Sequence, residues 1–413
     1  MHKISLSKRN KQVILLYVTT WLALIFGFLA SIINTRFLSP TDFGDAKYVL
    51  NIIDFVSSLL LFGFFLSGSR LLALSDDENK SRDIRGLMIL ILGVSAGIMI
   101  IAMIVCCFIH YDNSKIQNLF LISIPVCASP LLANYINTTA QGDNHIVRLS
   151  IARLFPSLLY VPVAYWVYSD YKASSSLMIL LQLGITVIVC LAILISSKPT
   201  FHNLKFNFKI LNEENKSYGL QLYWGSLFMV ASNYIAGISL GAFNEDNVNV
   251  GFYTLALSIT SPIAMLPAII GTTYFKEFAK LDMIPPKVMK MTVLVTIVTF
   301  LLFILFVKPL VAFLYPEDYA PVGIYAIWLA IGYSFHGIGD MLNRYIGSHG
   351  QGKQIRNSSF ATGFIKIIGF VLLVYLWDIE GALVTVIISD IVYFIMMYFY
   401  YRQFVSNRQV QEK

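Results

Sequence analysis

Four ionisable side chains stand inside long apolar stretches of this sequence. Asp54 follows Asn51-Ile52-Ile53, and Arg153 lies in Ile151-Ala152-Arg153-Leu154-Phe155. Lys366 is flanked by Phe364-Ile365 and Ile367-Ile368, and Asp390 by Ile387-Ile388-Ser389 and Ile391-Val392. A charge held in lipid costs roughly 2.5–3.5 kcal/mol on insertion scales, so such residues line polar cavities or pair with one another. A buried carboxylate can carry a proton or a sodium ion. Lysine and arginine suit phosphate, the first as a point charge and the second through its bidentate fork. By helical rise Asp54, Lys366 and Asp390 come to about 15 Å from the ends of their segments, and Arg153 to about 20 Å from the end marked by Trp166. The alternative for each is a structural pair with a neighbouring helix, or a long side chain snorkelling to the interface.

A second pattern is a stripe. Tyr333, His336, Asp340 and Arg344 follow at spacings of 3, 4 and 4 residues, which puts them on one helix face. It reads as the polar wall of a cavity near its cytoplasmic mouth. Asp340 and Arg344 have the spacing of a simple ion pair, and His336 that of a hydrogen-bonded interior histidine. Asn134, Asn137 and Gln141 form a related stripe, while Asn233 joins Gln221, Tyr223 and Trp224 in a patch suited to sugar or to gluing helices together.

The elements that position these groups are membrane helices. Hydrophobic residues make up 57% of the 413 and charged residues 13%, with mean hydropathy +0.70. A span of the ~30 Å hydrocarbon layer takes about 20 residues. Twelve segments qualify, at about 12–34, 45–67, 86–109, 117–138, 149–168, 175–196, 218–242, 248–273, 289–309, 319–344, 358–378 and 380–401. They are too long and continuous for barrel strands, so the expected class is an all-α integral membrane protein. The basic and then apolar N-terminus is expected to be the first span, because its run is too long for a signal peptide.

The second half repeats the first. Gly44 and Gly251 each head an apolar helix, 207 residues apart, and Gln141-Gly142 and Gln351-Gly352 precede Trp166 and Trp377 by 24 and 25 residues. Six helices per half is an even number, so both halves enter from the same side. This predicts a parallel repeat of two six-helix lobes around a central cavity, an architecture transporters use. The lobes are expected at 1–196 and 218–413, joined by a cytoplasmic linker at 197–217. On the repeat, Arg153 and Lys366 fall on equivalent helices. Prolines 156, 162, 262 and 267 mark expected kinks.

Of the 30 Lys and Arg, 24 fall on one set of loops, among them Lys3, Lys80, Lys209, Lys280, Arg408 and Lys413, while the opposite set has five. This bias places both termini in the cytoplasm. It also accounts for the net charge of +7, so no nucleic-acid partner is inferred; the basic face suits the lipid bilayer. Asp76-Asp77-Glu78-Asn79-Lys80 is a solvated cluster, and the Phe- and Lys-rich stretch 201–211 suits an amphipathic strip on the inner leaflet. The four cysteines, at 106, 107, 127 and 190, lie in apolar helices without a metal-binding spacing, so neither metal nor disulfide is expected. No Walker motif or Gly-x-Ser-x-Gly is present, and no cofactor or enzymatic activity is expected.

The stretch Asn34-Thr35-Arg36-Phe37-Leu38-Ser39-Pro40-Thr41-Asp42-Phe43-Gly44 resembles the "R-x-L-G-P-x-x-F/Y-G" turn of O-antigen and capsule polysaccharide flippases (Wzx-type), with Ser39 where that family often has Gly. Tyr218-Gly219-Leu220 and Val250-Gly251-Phe252-Tyr253 resemble the same family. The family belongs to the MATE-like multidrug/oligosaccharidyl-lipid/polysaccharide exporter (MOP) superfamily. The resemblance implies the MATE-like fold and a flippase moving undecaprenyl-diphosphate-linked sugar repeat units from the cytoplasmic to the periplasmic leaflet of the bacterial inner membrane. Other polysaccharide-assembly membrane proteins are the expected protein partners. Lys366, Arg153, Arg36, His336, Asp340, Arg344 and Asn233 are then the candidate substrate-binding residues, and Asp54 and Asp390 the ion-coupling ones. The rivals are a drug/cation antiporter of the same superfamily, which would favour acidic cavity residues, and a membrane polymerase or acyltransferase. The latter often carries a large outer loop that this chain does not have.

Overall fold

The computed structural model describes residues 8–75 and 77–411; Lys3 and Lys413 of the charge bias and Asp76 of the acidic cluster lie outside them. All regular structure among these residues is helical. In chain order the helices are α1 (Lys8–Phe37), α2 (Pro40–Leu59), α3 (Phe64–Ala73), α4 (Glu78–Ile109), α5 (Ser114–Ser123), α6 (Ser129–Gly142), α7 (Ile146–Asp170) and α8 (Ser175–Ser196). They continue with α9 (Leu204–Glu214), a π-helical turn (Asn215–Gly219), α10 (Leu220–Phe243), α11 (Val248–Thr260), α12 (Pro262–Phe278), α13 (Pro286–Leu314), α14 (Pro321–Ser348) and α15 (Gly352–Gln411).

Among the described residues nine helices are long and apolar enough to cross a membrane, and the bent pair α2 and α3 brings the number to ten. The difference from the expected twelve has a visible cause. Counted once, α15 covers both of the last two expected segments, although its backbone is non-helical at Trp377 and Asp378, where those segments meet. Asn244 and Asn249 hold that break by donating to the Asp378 carboxylate, each at 2.5 Å. The seventh expected segment is helical as α10, 24 residues without a charged side chain.

The chain divides into two compact units, Met1–Leu227 and Phe228–Lys413. The division falls inside α10, beyond the expected linker. In the first unit that linker is structured: α9 and the π-helical turn pack on α3, and α9 also packs on α4. Local chemistry starts the helices here. Ser39 caps α2 by accepting from the Asp42 amide, with Pro40 at the first helical position. Asp77, Asn113 and Ser174 do the same for α4, α5 and α8. Tyr160 and Tyr168 of α7 both donate to Asn34 of α1, at 2.6 and 3.2 Å, satisfying polar groups within an otherwise apolar contact.

The 61° bend between α2 and α3 is built from long-range donors. A break in a membrane helix frees carbonyls that must be satisfied. Tyr223 donates to Leu59 O at 2.8 Å, Ser95 to Leu60 O at 3.1 Å and Asn215 to Phe62 O at 3.1 Å. Gly63 has φ +77°, and a Cβ there would lie 2.5 Å from the Gly219 backbone, so only glycine fits. Near the start of α4, Arg85 is buried and reaches Asp143 and Glu78 at 3.0 Å each and the Ser197 carbonyl at 2.5 Å.

In the second unit α14 is the central helix, packing on α11, α12, α13 and α15. An apolar cluster of Phe278, Met341, Leu342, Tyr345, Ile346, Met397 and their neighbours closes the end that carries the basic residues. Pro262 opens α12, placing a break between α11 and α12 where a kink was expected.

Candidate functional site

Small residues set the geometry of the site. A Cβ on Gly332 would lie 3.2 Å from the Ile387 Cα, and one on Gly339 only 2.8 Å from the Tyr393 ring. These glycines, seven residues apart and so on one face of α14, let α15 approach closely. The approach brings Asp390 and Tyr393 of α15 against the polar stripe predicted on α14.

Asp390 is buried and is shared by two helical segments. His336 Nδ1 lies 3.1 Å from its Oδ1, and Lys366 Nζ lies 3.9 Å from the same atom. His336 Nε2 is 3.8 Å from Asp340 Oδ2, and the His336 ring stacks on Tyr393 with centroids 4.8 Å apart. Tyr393 donates to Asp340 at 2.9 Å and receives from Asn343 at 2.8 Å. Asp340 therefore turns to His336 and Tyr393, not to Arg344, the partner expected at its helical spacing. The result is a continuous polar track of Lys366, Asp390, His336, Asp340, Tyr393 and Asn343. In a medium of low dielectric each member supports the charge of the next.

A cavity of about 410 Å³ opens on this track, lined by Asn233, Tyr253, Tyr333, His336, Lys366 and Asp390 with Leu257, Phe370 and Val386. Four of the sequence-derived candidates thus meet at one place: Lys366, His336, Asp390 and Asn233. Asp340 joins through His336, and Arg344 lies one turn further along α14, exposed. Tyr393, Asn343 and Tyr253 escaped the sequence reading. For Tyr393 a signal existed, since it follows Asp390 by three residues and shares its face.

The other candidates belong to the first unit, on separate helices. Asp54 is half-buried in α2, with Lys47 two turns earlier as its electrostatic partner. Arg153 is exposed on α7, and Arg36 is exposed in the last turn of α1.

The sequence matches the model of a family described as polysaccharide biosynthesis protein over residues 10–281. No curated protein matches it. Among solved structures, an inward-facing multidrug resistance transporter of the MATE family, MOP superfamily, superimposes with TM-score 0.75 at 14% identity, covering 97% of this chain and 99% of the other. The lipid II flippase MurJ in an inward closed conformation superimposes with TM-score 0.71 at 15% identity, covering 94% and 87%. The MATE multidrug transporter DinF-BH gives TM-score 0.64 at 14% identity, covering 94% and 95%. These likenesses show the MATE-like fold, and with the apolar helices they make this a multi-pass membrane protein. With the family model matching well over half of its length, the chain belongs to the polysaccharide biosynthesis protein family.

Proposed function

We propose that the protein is a flippase that moves undecaprenyl-diphosphate-linked oligosaccharide repeat units from the cytoplasmic to the periplasmic leaflet by alternating access, supplying surface polysaccharide such as O-antigen or capsule. The observation that carries this reading is the cavity within residues 228–413, where a lysine amine stands in an apolar bundle, in a chain of a polysaccharide biosynthesis family. A diphosphate brings about two negative charges into the bilayer and needs cations there. Lys366 supplies one, and Arg153 is the proposed counterpart in the first unit. Arg36 at the end of α1 would meet the diphosphate on exit.

In this reading the two units are six-helix lobes, the inner membrane is the location and both termini are cytoplasmic. Asp54 and Asp390 are the proposed ion-coupling carboxylates. The solved flippase that the fold resembles is named for lipid II, itself a lipid-linked saccharide, which fits the proposed substrate class. A drug/cation antiporter is the second reading, favoured by the MATE neighbours and by the two carboxylates. The lining weighs against it, because two bases, Lys366 and His336, face the single carboxylate Asp390, so the balance of the cavity favours an anion over an organic cation.

The test is complementation of a deletion strain. Lys366→Ala and Arg153→Ala are expected to lower surface polysaccharide while the protein stays at normal level in the membrane, and Lys366→Arg to be milder. Normal polysaccharide from both alanine variants would remove the cationic role.

A further inference from the structure

A second cavity, of about 300 Å³, lies at the far end of the same two helices, lined by Ile346, Gln351, Gln354, Tyr400, Gln403, Phe404, Asn407 and Arg408. Its size is at the lower limit of small-molecule sites, roughly 300–1,000 Å³. Four of its eight residues are carboxamides. Each offers two N–H donors and a carbonyl acceptor, so such a set serves hydroxyl groups that both give and take hydrogen bonds. Gln354 donates to the Gln351 carbonyl at 2.6 Å, which fixes both amides and leaves the Gln351 NH₂ and the Gln354 carbonyl for a ligand.

The charge balance separates this cavity from the first. Its one cation, Arg408, is already engaged: its guanidinium pairs with Asp282 and lies 5.1 Å from the Phe404 ring centroid. No cation is therefore spare for phosphate, and no carboxylate is among the lining residues. Amides, aromatic rings and a neutralised arginine together match a neutral polyol, whose C–H faces lie on rings while its hydroxyls meet amides.

The position is also informative. From Asp390 to Tyr400, and from His336 to Ile346, is ten residues, about 15 Å of helix. The Asp340–Tyr393–Asn343 part of the polar track points along the same interval. Asp390, Tyr393, Tyr400, Phe404 and Asn407 recur at spacings that keep them on one strip of α15.

We propose that this amide pocket is a saccharide-binding subsite that holds a pyranose ring by its hydroxyls, about 15 Å along α14 and α15 from the Lys366 cavity. As the docking point for the sugar end of a lipid-linked substrate it rests on the flippase reading. As a site for sugar hydroxyls it does not.

The experiment is saturation-transfer difference NMR on the full-length protein in lipid nanodiscs, free of sugar detergents. The probes are the methyl glycosides of glucose, galactose, N-acetylglucosamine and rhamnose, with inorganic pyrophosphate as competitor and UDP-N-acetylglucosamine as a free soluble source. Transfer is expected to at least one glycoside, to survive excess pyrophosphate, and to fall to background in Gln403→Ala and in Asn407→Ala. Both side chains are exposed, so their truncation leaves the packing in place. Lys366→Ala is expected to retain the transfer. A UDP-sugar signal carried by the sugar protons alone would extend the site to free sugar nucleotides; one carried by the uridine and displaced by pyrophosphate would overturn the polyol assignment. No transfer from any glycoside, or transfer unchanged in both pocket variants, would also overturn it. Polysaccharide export lost in Lys366→Ala with glycoside transfer absent would leave the flippase standing and the subsite wrong. The reverse result would separate the two the other way.

Discussion

The Asp390 carboxylate answers to His336 on one side and Lys366 on the other, and this shared position decides what each residue can do. Breaking one partner of a desolvated pair leaves the other charge uncompensated, whereas replacing both can be nearly neutral. Lys366→Met and Asp390→Asn are therefore expected each to lower the thermal unfolding midpoint of the purified protein, and the double variant to recover part of the loss. A coupling of about 0.5–3 kcal/mol is the expected size for groups in one network. Recovery of stability without recovery of polysaccharide would assign the pair a transport role; strict additivity would show that they do not interact. The charges themselves were legible, because ionisable residues inside apolar runs are rare. Their pairing was not. Each residue turns a helix by about 100°, and which of Asp390, Lys366 and His336 face one another depends on the rotation of three packed segments. Gly332, Gly339 and Tyr393 fix that rotation; neither glycine reads as functional in sequence, and the only signal for Tyr393 is its place three residues after Asp390. Arg153 and Asp54 were equally conspicuous in sequence, yet the structure places them on separate helices of the first unit, and among the described residues no track like that of α14 and α15 joins them.

At the scale of elements, the bend between α2 and α3 shows what apolar periodicity cannot see. The run Ser57–Phe65 reads as continuous helix, with only Gly63 as punctuation. What breaks it is donated from elsewhere in the chain: the hydroxyls of Tyr223 and Ser95 and the amide of Asn215. Their sequence separation is why the bend was invisible; residues 197–217, expected as the linker, supply Asn215 to it and pack on α3 and α4. Asn215→Ala is expected to destabilise by about 1–3 kcal/mol, because it frees the Phe62 carbonyl at the bend and takes away the Asn215 acceptor of the buried Ser67 hydroxyl. Gly63→Ala is expected to cost on the order of 2 kcal/mol, from a positive φ made unfavourable and the close Gly219 backbone. Both are read as losses in thermal midpoint, and wild-type midpoints would show that the bend has other support. The Arg85 cluster ties α4 to the ends of α6 and α8. Arg85→Ala, which strands the buried Asp143, is expected to be the most severe of these changes, at about 3–5 kcal/mol. A midpoint shift smaller than that of Asn215→Ala would show that solvent reaches the cluster.

Across the whole molecule, the repeat and the distribution of basic residues make one linked claim about topology. If both halves have six spans, the loops after the first and seventh helices leave the membrane on the same side, and the loops rich in Lys and Arg lie on the other. The positive-inside rule assigns that second side to the cytoplasm. Cysteine scanning reads this directly once the four native cysteines, three in helices and Cys127 in the turn before α6, are replaced. Asn113→Cys and Asp246→Cys, both at exposed inter-helix positions, are expected to react with a membrane-impermeant maleimide in intact spheroplasts. Lys80→Cys, Lys209→Cys and Lys280→Cys are expected to react only after lysis. Asn113 probes the first half and Asp246 the second, so labelling of one without the other would put the halves in opposite orientations. That result would end the parallel repeat whatever the helix count. Lys209 tests the connector: with Phe206 and Phe208 exposed beside it on α9, its protection by anionic lipid after lysis would place α9 against the inner leaflet.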